Sequence, residues 1–149
     1  MKNDNKIIFE IDEKGNQTWR LNGLLNREDG PAMISSNGTE QWFIKDKLHR
    51  EGDEPAVIFK NGNKAWYKNG LLHREDNPAI IMNNGEIQEW FFHGKQHRID
   101  GPALINQTKQ EWWIDGIEKT KAEFTMLTLV RELSNELPNT DLEQKKLKL

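Results

Sequence analysis

The chain is built on a recurring unit, and its clearest copy is WYKNGLLHREDNPAII at residues 66–81. Each unit holds a tryptophan, a turn, a His-Arg or Asn-Arg pair, an acidic turn, a proline and an apolar run. The first copy is WRLNGLLNREDGPAMI (19–34), the second is WFIKDKLHREGDEPAVI (42–58), the third is residues 66–81, and the fourth is WFFHGKQHRIDGPALI (90–105). A fifth begins at 112 as WWIDGIEKTKAEF and then departs from the pattern. The leading tryptophans lie 22 to 24 residues apart, which predicts a repeat architecture.

Apolar runs on either side of Gly-containing turns predict one β-hairpin for each unit. Predicted hairpins cover residues 7–20, 32–45, 56–68, 79–92 and 103–114. Asn-Gly or Asp-Gly pairs follow most of the leading tryptophans, so we expect a second tight turn there and a short strand after it, such as Leu71 to Glu75. The second copy is one residue longer in its acidic turn, which predicts a bulge or wider loop near Gly52.

The sequence changes character after Trp113. TKAE at 120–123 has the form of a capping box, and Ala122 lies on one helical face with an apolar stripe. That stripe consists of Met126, Leu129, Val130 and Leu133. We predict that this face packs on the last hairpin or on a twin subunit as a cap; the alternative is that it docks a second chain.

These patterns predict an all-β repeat fold, in which each hairpin needs its neighbours to bury its apolar face. The array is expected to be elongated and antiparallel, with a C-terminal helical cap. We assign residues 1–118 to the β-repeat domain of about five hairpins, 119–137 to the capping helix and 138–149 to a flexible tail.

The amino-acid composition excludes several classes of function. There are no cysteines, so disulfides and thiol chemistry are excluded. The first residues hold no long apolar stretch, so we expect no signal peptide, no transmembrane segment and a cytoplasmic location. A net charge of −3 argues against a general nucleic-acid-binding protein.

The Trp…Asn-Gly…His-Arg…Asp-Gly-Pro-Ala string over residues 7 to about 117 resembles the MORN family, most closely its bacterial and phage-associated variant. Arg50, Arg74 and Arg98 stand where the eukaryotic pattern typically has Gly after the His. The resemblance implies an elongated, curved antiparallel β-array. It also implies a scaffold or binding module, antitoxin-like in some relatives, with lipid-headgroup binding proposed for others. If the protein is phage-encoded, its location would be the host cytoplasm.

Three rows of residues recur at fixed positions and are the candidate binding residues. They are the arginines Arg27, Arg50, Arg74 and Arg98, the histidines His49, His73 and His97, and the tryptophans Trp42, Trp66 and Trp90. Each arginine precedes an acidic turn, so it either clamps that turn or offers a cation to a phosphate-bearing ligand or acidic partner. The tryptophans either form the core or line one face.

The histidine row does not predict a metal site. Equivalent positions in neighbouring hairpins lie roughly 10 Å apart. The ligands of one zinc ion lie within about 2.1 Å of it. We therefore expect no metal.

No group of residues with different chemical roles converges in the sequence, so we expect no catalysis and no cofactor. The leading hypothesis is a non-catalytic module that recognises a protein partner through its repeated β surface, as an antitoxin-like protein or phage-encoded inhibitor would. The alternative is a protein that sequesters an anionic small ligand such as a nucleotide through its Arg, His and Trp rows. A homodimer through the C-terminal helix or an edge strand is a further alternative.

Overall fold

The computed structural model describes residues 6–136, which contain eighteen short β-strands and one α-helix. The helix α1 spans Lys121–Glu136, and a 3₁₀ turn lies at Asn83–Gly85. In chain order the strands are β1 (Ile7–Ile11), β2 (Gln17–Leu21), β3 (Leu24–Leu25), β4 (Met33–Ile34), β5 (Glu40–Gln41), β6 (Phe43–Ile44), β7 (Lys47–Leu48), β8 (Val57–Ile58), β9 (Lys64–Ala65), β10 (Tyr67–Lys68), β11 (Leu71–Leu72), β12 (Ile80–Met82), β13 (Ile87–Glu89), β14 (Phe91–Phe92), β15 (Lys95–Gln96), β16 (Leu104–Ile105), β17 (Gln110–Ile114) and β18 (Ile117–Lys119).

Most of the strands form one antiparallel sheet in the order β1-β2-β4-β5-β8-β9-β12-β13-β16-β17-β18, with β3 beside β2. Five hairpins lie where the sequence predicts them: β1/β2, β4/β5, β8/β9, β12/β13 and β16/β17. Three two-stranded ribbons, β6/β7, β10/β11 and β14/β15, follow the tryptophans of the second, third and fourth copies. The prediction of antiparallel hairpins followed by a C-terminal helix therefore agrees with the structure.

Left-handed backbone makes the turns of these ribbons tight. Asn69 has φ +54° and Gly70 has φ +86°, as a two-residue turn of this hand requires. The second copy has Lys45 and Asp46 at these positions, with φ +51° and +61° and no glycine. Its strained turn is held by the first copy, because the Lys45 amide donates to Asn26 Oδ1 at 3.0 Å.

The buried core follows the repeat. The alanine after each proline is fully buried in the four copies, at Ala32, Ala56, Ala79 and Ala103. Each accepts a hydrogen bond at its carbonyl from the amide of the leading tryptophan of the same copy, at 2.8 Å. The tryptophan at the start of a copy is thus tied to the strand that ends it.

Helix α1 begins at the predicted capping box. The Thr120 amide donates to Glu123 Oε2 at 2.8 Å, and the Glu123 amide donates to Thr120 Oγ1 at 3.2 Å. Phe124 is buried and Thr128 is half-buried, and α1 contacts β17 and β18. The helix therefore covers the last strands through its first two turns.

The apolar stripe does not pack on the last hairpin as predicted, and its packing on a twin subunit stays a prediction. Ala122 is exposed, and the four larger side chains, Met126, Leu129, Val130 and Leu133, are 49–62% exposed. Helical geometry explains the error. Phe124 and Met126 lie about 200° apart around the axis, so a helix that buries Phe124 turns the stripe to solvent. The predicted tail, residues 138–149, lies outside the described residues.

Candidate functional site

Each of the four recurring arginines stacks on the leading tryptophan of its own copy. The distances from Cζ to the ring centroid are 4.3 Å for Arg27 on Trp19, 4.0 Å for Arg50 on Trp42, 3.9 Å for Arg74 on Trp66 and 4.0 Å for Arg98 on Trp90. Trp42, Trp66 and Trp90 are only 6–8% exposed. Little of these three rings is left for a ligand, because the guanidinium covers one face of each.

Each arginine also donates to the acidic turn that follows it. The Nη1 atoms of Arg27, Arg50, Arg74 and Arg98 donate to the carbonyls of Pro31, Pro55, Pro78 and Pro102 at 3.1–3.4 Å. Stacking and this hydrogen bond together connect the start of a copy to the turn before its last strand. The sequence leaves open whether the arginines are structural or bind a ligand, and these contacts favour the structural role.

In the first and fourth copies the arginine pairs with an aspartate of its own turn. Arg27 Nε donates to Asp29 Oδ1 at 2.8 Å, and Arg98 Nε donates to Asp100 Oδ1 at 2.7 Å. These hydrogen bonds hold the pKa of Asp29 and Asp100 below their ordinary values. The residue before the proline is glycine in both copies. A Cβ added at Gly30 would lie 2.9 Å from Arg27 Cζ, so a side chain here would force the guanidinium of Arg27 to shift.

In the middle of the array the pairing differs from the prediction. Asp53 belongs to the second copy, yet it binds Arg74 of the third, with Oδ1 to Nε at 2.5 Å and Oδ2 to Nη2 at 2.7 Å. This bidentate pair lowers the pKa of Asp53. Among residues 6–136 Arg50 has no aspartate partner, and its one carboxylate neighbour within 4 Å is Glu54, with Oε2 at 3.9 Å.

The extra residue of the second copy accounts for this exchange. Gly52 lies in the longer turn with φ +73°, at the position where the sequence predicts a wider loop. Asp53 therefore stands one residue later than its counterparts relative to the arginine, and reaches the neighbouring copy. Asp76, which the sequence places beside Arg74, forms no ion pair within residues 6–136.

The histidine row forms hydrogen bonds between copies. His49 Nδ1 accepts from the Asn69 amide at 3.1 Å, and His73 Nδ1 accepts from the His93 amide at 3.2 Å. His97 Nδ1 accepts from the Asp115 amide at 3.0 Å. In each pair the donor lies in the tight turn of the next copy. The first copy has Asn26 in place of histidine, and its Oδ1 accepts the equivalent amide.

Nδ1 accepts these amides only in the neutral tautomer that carries the ring proton on Nε2, and His97 Nδ1 also lies 3.1 Å from Asp115 Oδ1. His73 also stacks on His93, with ring centroids 4.4 Å apart. Burial lowers the pKa of His73, and the neighbouring His93 and Lys68 lower it further against a smaller opposing effect of Glu75. Within residues 6–136 no cluster of three or more metal-ligating side chains is found.

Two grooves lie beside the acidic turns. One, of about 390 Å³, lies between the turns of the second and third copies, and Glu51, Glu54 and Lys68 are among its lining residues. The next, of about 470 Å³, lies between the third and fourth copies. Glu75 and Asp76 line both. Sequence analysis missed these carboxylates, although a signal exists: the second and third turns hold five acidic residues and only two arginines precede them.

Helix α1 lacks the length and apolar character that a membrane crossing needs, and the described residues contain no other helix that has them. Comparison of the chain with protein-family models, with curated proteins and with solved structures finds no match.

Proposed function

We propose that this protein is a non-catalytic, MORN-like binding module that recognises a basic segment of a protein partner through its acidic turns. One observation carries the proposal. The residues that recur in every copy are used in contacts inside the array, although several of them also line the grooves, whereas Glu51, Glu75 and Asp76 line the grooves and pair with no arginine among the described residues. The charged residues of the turns therefore differ from copy to copy, while the backbone that carries them is held by the same contacts in each.

The charge of the grooves determines the chemistry of the partner. Arg74 is occupied by Trp66, Pro78 and Asp53, so it neutralises none of the other carboxylates nearby. Glu51 accepts a hydrogen bond from His49 Nε2 at 2.9 Å when that nitrogen carries the ring proton, while Glu75 and Asp76 form no ion pair among the described residues. Lysine or arginine side chains of a partner would complement this surface and speed its association.

The proposal also covers the class of protein and its location in the cell. The repeat pattern resembles small bacterial and phage-associated MORN-like proteins, so we infer an antitoxin-like protein or phage-encoded inhibitor that acts in the cytoplasm. Catalysis and a cofactor have no part in it. Support for this comes from the candidate rows, whose members lie in equivalent environments and do not converge on one reacting atom.

Sequestration of an anionic small ligand such as a nucleotide has less support. Such a ligand would need free guanidinium donors and an exposed ring, whereas the arginines are engaged and the central tryptophans are buried. The cations that line the groove between the second and third copies are Arg50, Arg74 and Lys68.

Site-specific photo-crosslinking in the cell of origin tests the proposal. A photoreactive amino acid in place of Glu75 should capture a discrete protein. The same amino acid in place of Glu86 should not, because Glu86 is likewise an exposed acid but lies beyond the opposite end of β12. The charge reversal Glu75→Lys should abolish co-purification of the captured protein, and Glu86→Lys should preserve it. Equal capture at both positions, or native mass spectrometry that finds a bound anion and no protein, would refute the proposal.

A further inference from the structure

Strand β1 is the end of the sheet, and within residues 6–136 it pairs only with β2. Ile7, Ile8, Phe9 and Ile11 are 43–61% exposed. The strand contains no proline, lysine or bulge, which are features that often protect a free edge from pairing, and Glu10 is its one charged residue. Phe9 packs on Trp19 of β2, with ring centroids 4.8 Å apart.

The hydrogen-bond pattern shows which backbone groups of β1 face outward. The Asp12 amide donates to the Asn16 carbonyl at 3.0 Å, next to the Ile11–Gln17 pair of the β1/β2 register. Bonded and non-bonded pairs alternate in an antiparallel ladder, so the residues at even positions bond to β2. The N–H and C=O groups of Ile7, Phe9 and Ile11 therefore point to the open edge. The hydrogen bond of the Trp19 amide supports this assignment. It donates to the carbonyl of Ala32 and not to Phe9, which lies opposite Trp19 in the β1/β2 pair.

We propose that β1 pairs antiparallel with β1 of a second copy of this chain, in a register centred on Phe9. Phe9 then lies opposite Phe9 of the second copy, and Ile7 opposite Ile11. The outward groups of these three residues form about six main-chain hydrogen bonds. Two sheets are joined into one across a two-fold axis, as symmetric dimers require.

Self-complementarity identifies a second copy as the occupant of this edge. In the register centred on Phe9, Lys6 lies opposite Asp12 of the second copy, so each end of the ribbon brings opposite charges together. On the same face as these charges, Ile8 lies opposite Glu10 of the second copy, whose Oε2 is 3.9 Å from Arg20 Nε in its own chain. Moving the centre to Ile11 would place Phe9 opposite Glu13, lose the charge pairs and leave only the contact of Ile11 with Ile11 of the second copy.

The test is the mass of the full chain in solution, measured by sedimentation equilibrium over a range of concentrations. The expected result is a monomer–dimer equilibrium. Ile11→Lys should shift it to monomer, because each new lysine faces an isoleucine across the ribbon and a cation cannot be desolvated there. Two matched variants should remain dimeric: Ile117→Lys in β18 at the other end of the sheet, and Leu129→Lys in the exposed stripe of α1.

A second measurement fixes the register. The chain has no cysteine, so Phe9→Cys introduces a single thiol. A short bifunctional maleimide should link this variant into a covalent dimer, and Ile117→Cys should stay uncrosslinked. A wild-type protein that is monomeric at every concentration overturns the proposal. So does a dimer that survives Ile11→Lys, or one that dissociates in Ile117→Lys or Leu129→Lys.

Discussion

The outer copies and the middle copies of the array use the same residues in different contacts. In the first and fourth copies the arginine, its aspartate and the glycine before the proline form one local turn. In the second and third copies Glu54 or Asn77 replaces the glycine, and Asp53 crosses to Arg74. The constant parts of the unit, the Arg–Trp stack and the Arg–Pro hydrogen bond, are unchanged.

This difference teaches how a repeated sequence can acquire a unique surface. One inserted residue moves the carboxylate of Asp53 from the arginine of its own copy to Arg74 of the next copy. Asp76, which would otherwise pair with Arg74, is then exposed to solvent. The second and third turns are thereby connected, and Asp76 lines both grooves. The middle of the array is thus where we propose that a partner binds.

Removal of a central tryptophan should have the largest effect. Trp66→Ala is expected to destabilise the protein by about 3–5 kcal/mol, because a buried ring and the support for Arg74 are lost together. Trp19→Ala should cost less, since Trp19 is half-buried at the outer copy. Urea denaturation of both variants checks this order, and equal losses would remove the distinction between middle and outer copies.

The arginines should follow the same order. Arg74→Ala is expected to cost on the order of 1–3 kcal/mol, since it loses its stack, the Pro78 hydrogen bond and Asp53. The Arg74 side chain is 14% exposed and that of Arg50 is 27% exposed, so Arg50→Ala should cost less. Unchanged stability in Arg74→Ala, measured by the same denaturation, would mean that the arginine row is free to bind a ligand.

Glycine before the proline should matter only in the outer copies. Gly30→Ala places a methyl group against the guanidinium of Arg27 and should cost about 1 kcal/mol. Asn77→Ala, at the equivalent position of the third copy, should be close to neutral. Thermal melting of the two variants compares the turns directly. A neutral Gly30→Ala would show that the Arg27–Asp29 packing does not constrain this position.

Acid should produce the smallest effect, through His73. Its pKa is lowered in the folded protein, so neutral His73 contributes stability that is fully present above its unfolded pKa of about 6.5. That stability is lost as the pH falls through the lower folded pKa. His73→Asn copies the acceptor that Asn26 provides in the first copy, and should flatten the pH dependence below about pH 6.5. A variant that loses stability with pH as steeply as the parent would refute this role.

Much of the fold follows from local sequence. The period of the tryptophans and the Asn-Gly turns predict the hairpins, and Thr120 with Glu123 predicts where α1 begins. The orientation of α1 does not follow, because an apolar stripe indicates a face but not what covers it. Here the side chain that is buried is Phe124, on the opposite side of the helix.

The contacts of the candidate site are only partly predictable. The first copy has Asn26 where the later copies have histidine. This indicates a shared role as a hydrogen-bond acceptor, since an amide oxygen and Nδ1 both accept an N–H. The crossing of Asp53 to Arg74 depends on how neighbouring turns are spaced in the sheet. The spacing between neighbouring turns cannot be predicted from the sequence of one copy alone.

The most direct test of the difference between middle and outer copies is a pair of double-mutant cycles on Arg74. The cycle with Asp53→Ala and Arg74→Ala should give a coupling energy of about 0.2–1 kcal/mol, the range for a solvent-accessible ion pair. The cycle with Asp76→Ala and Arg74→Ala should give a coupling energy near zero. Coupling to Asp76 and none to Asp53 would contradict the account, because each arginine would then serve only its own turn.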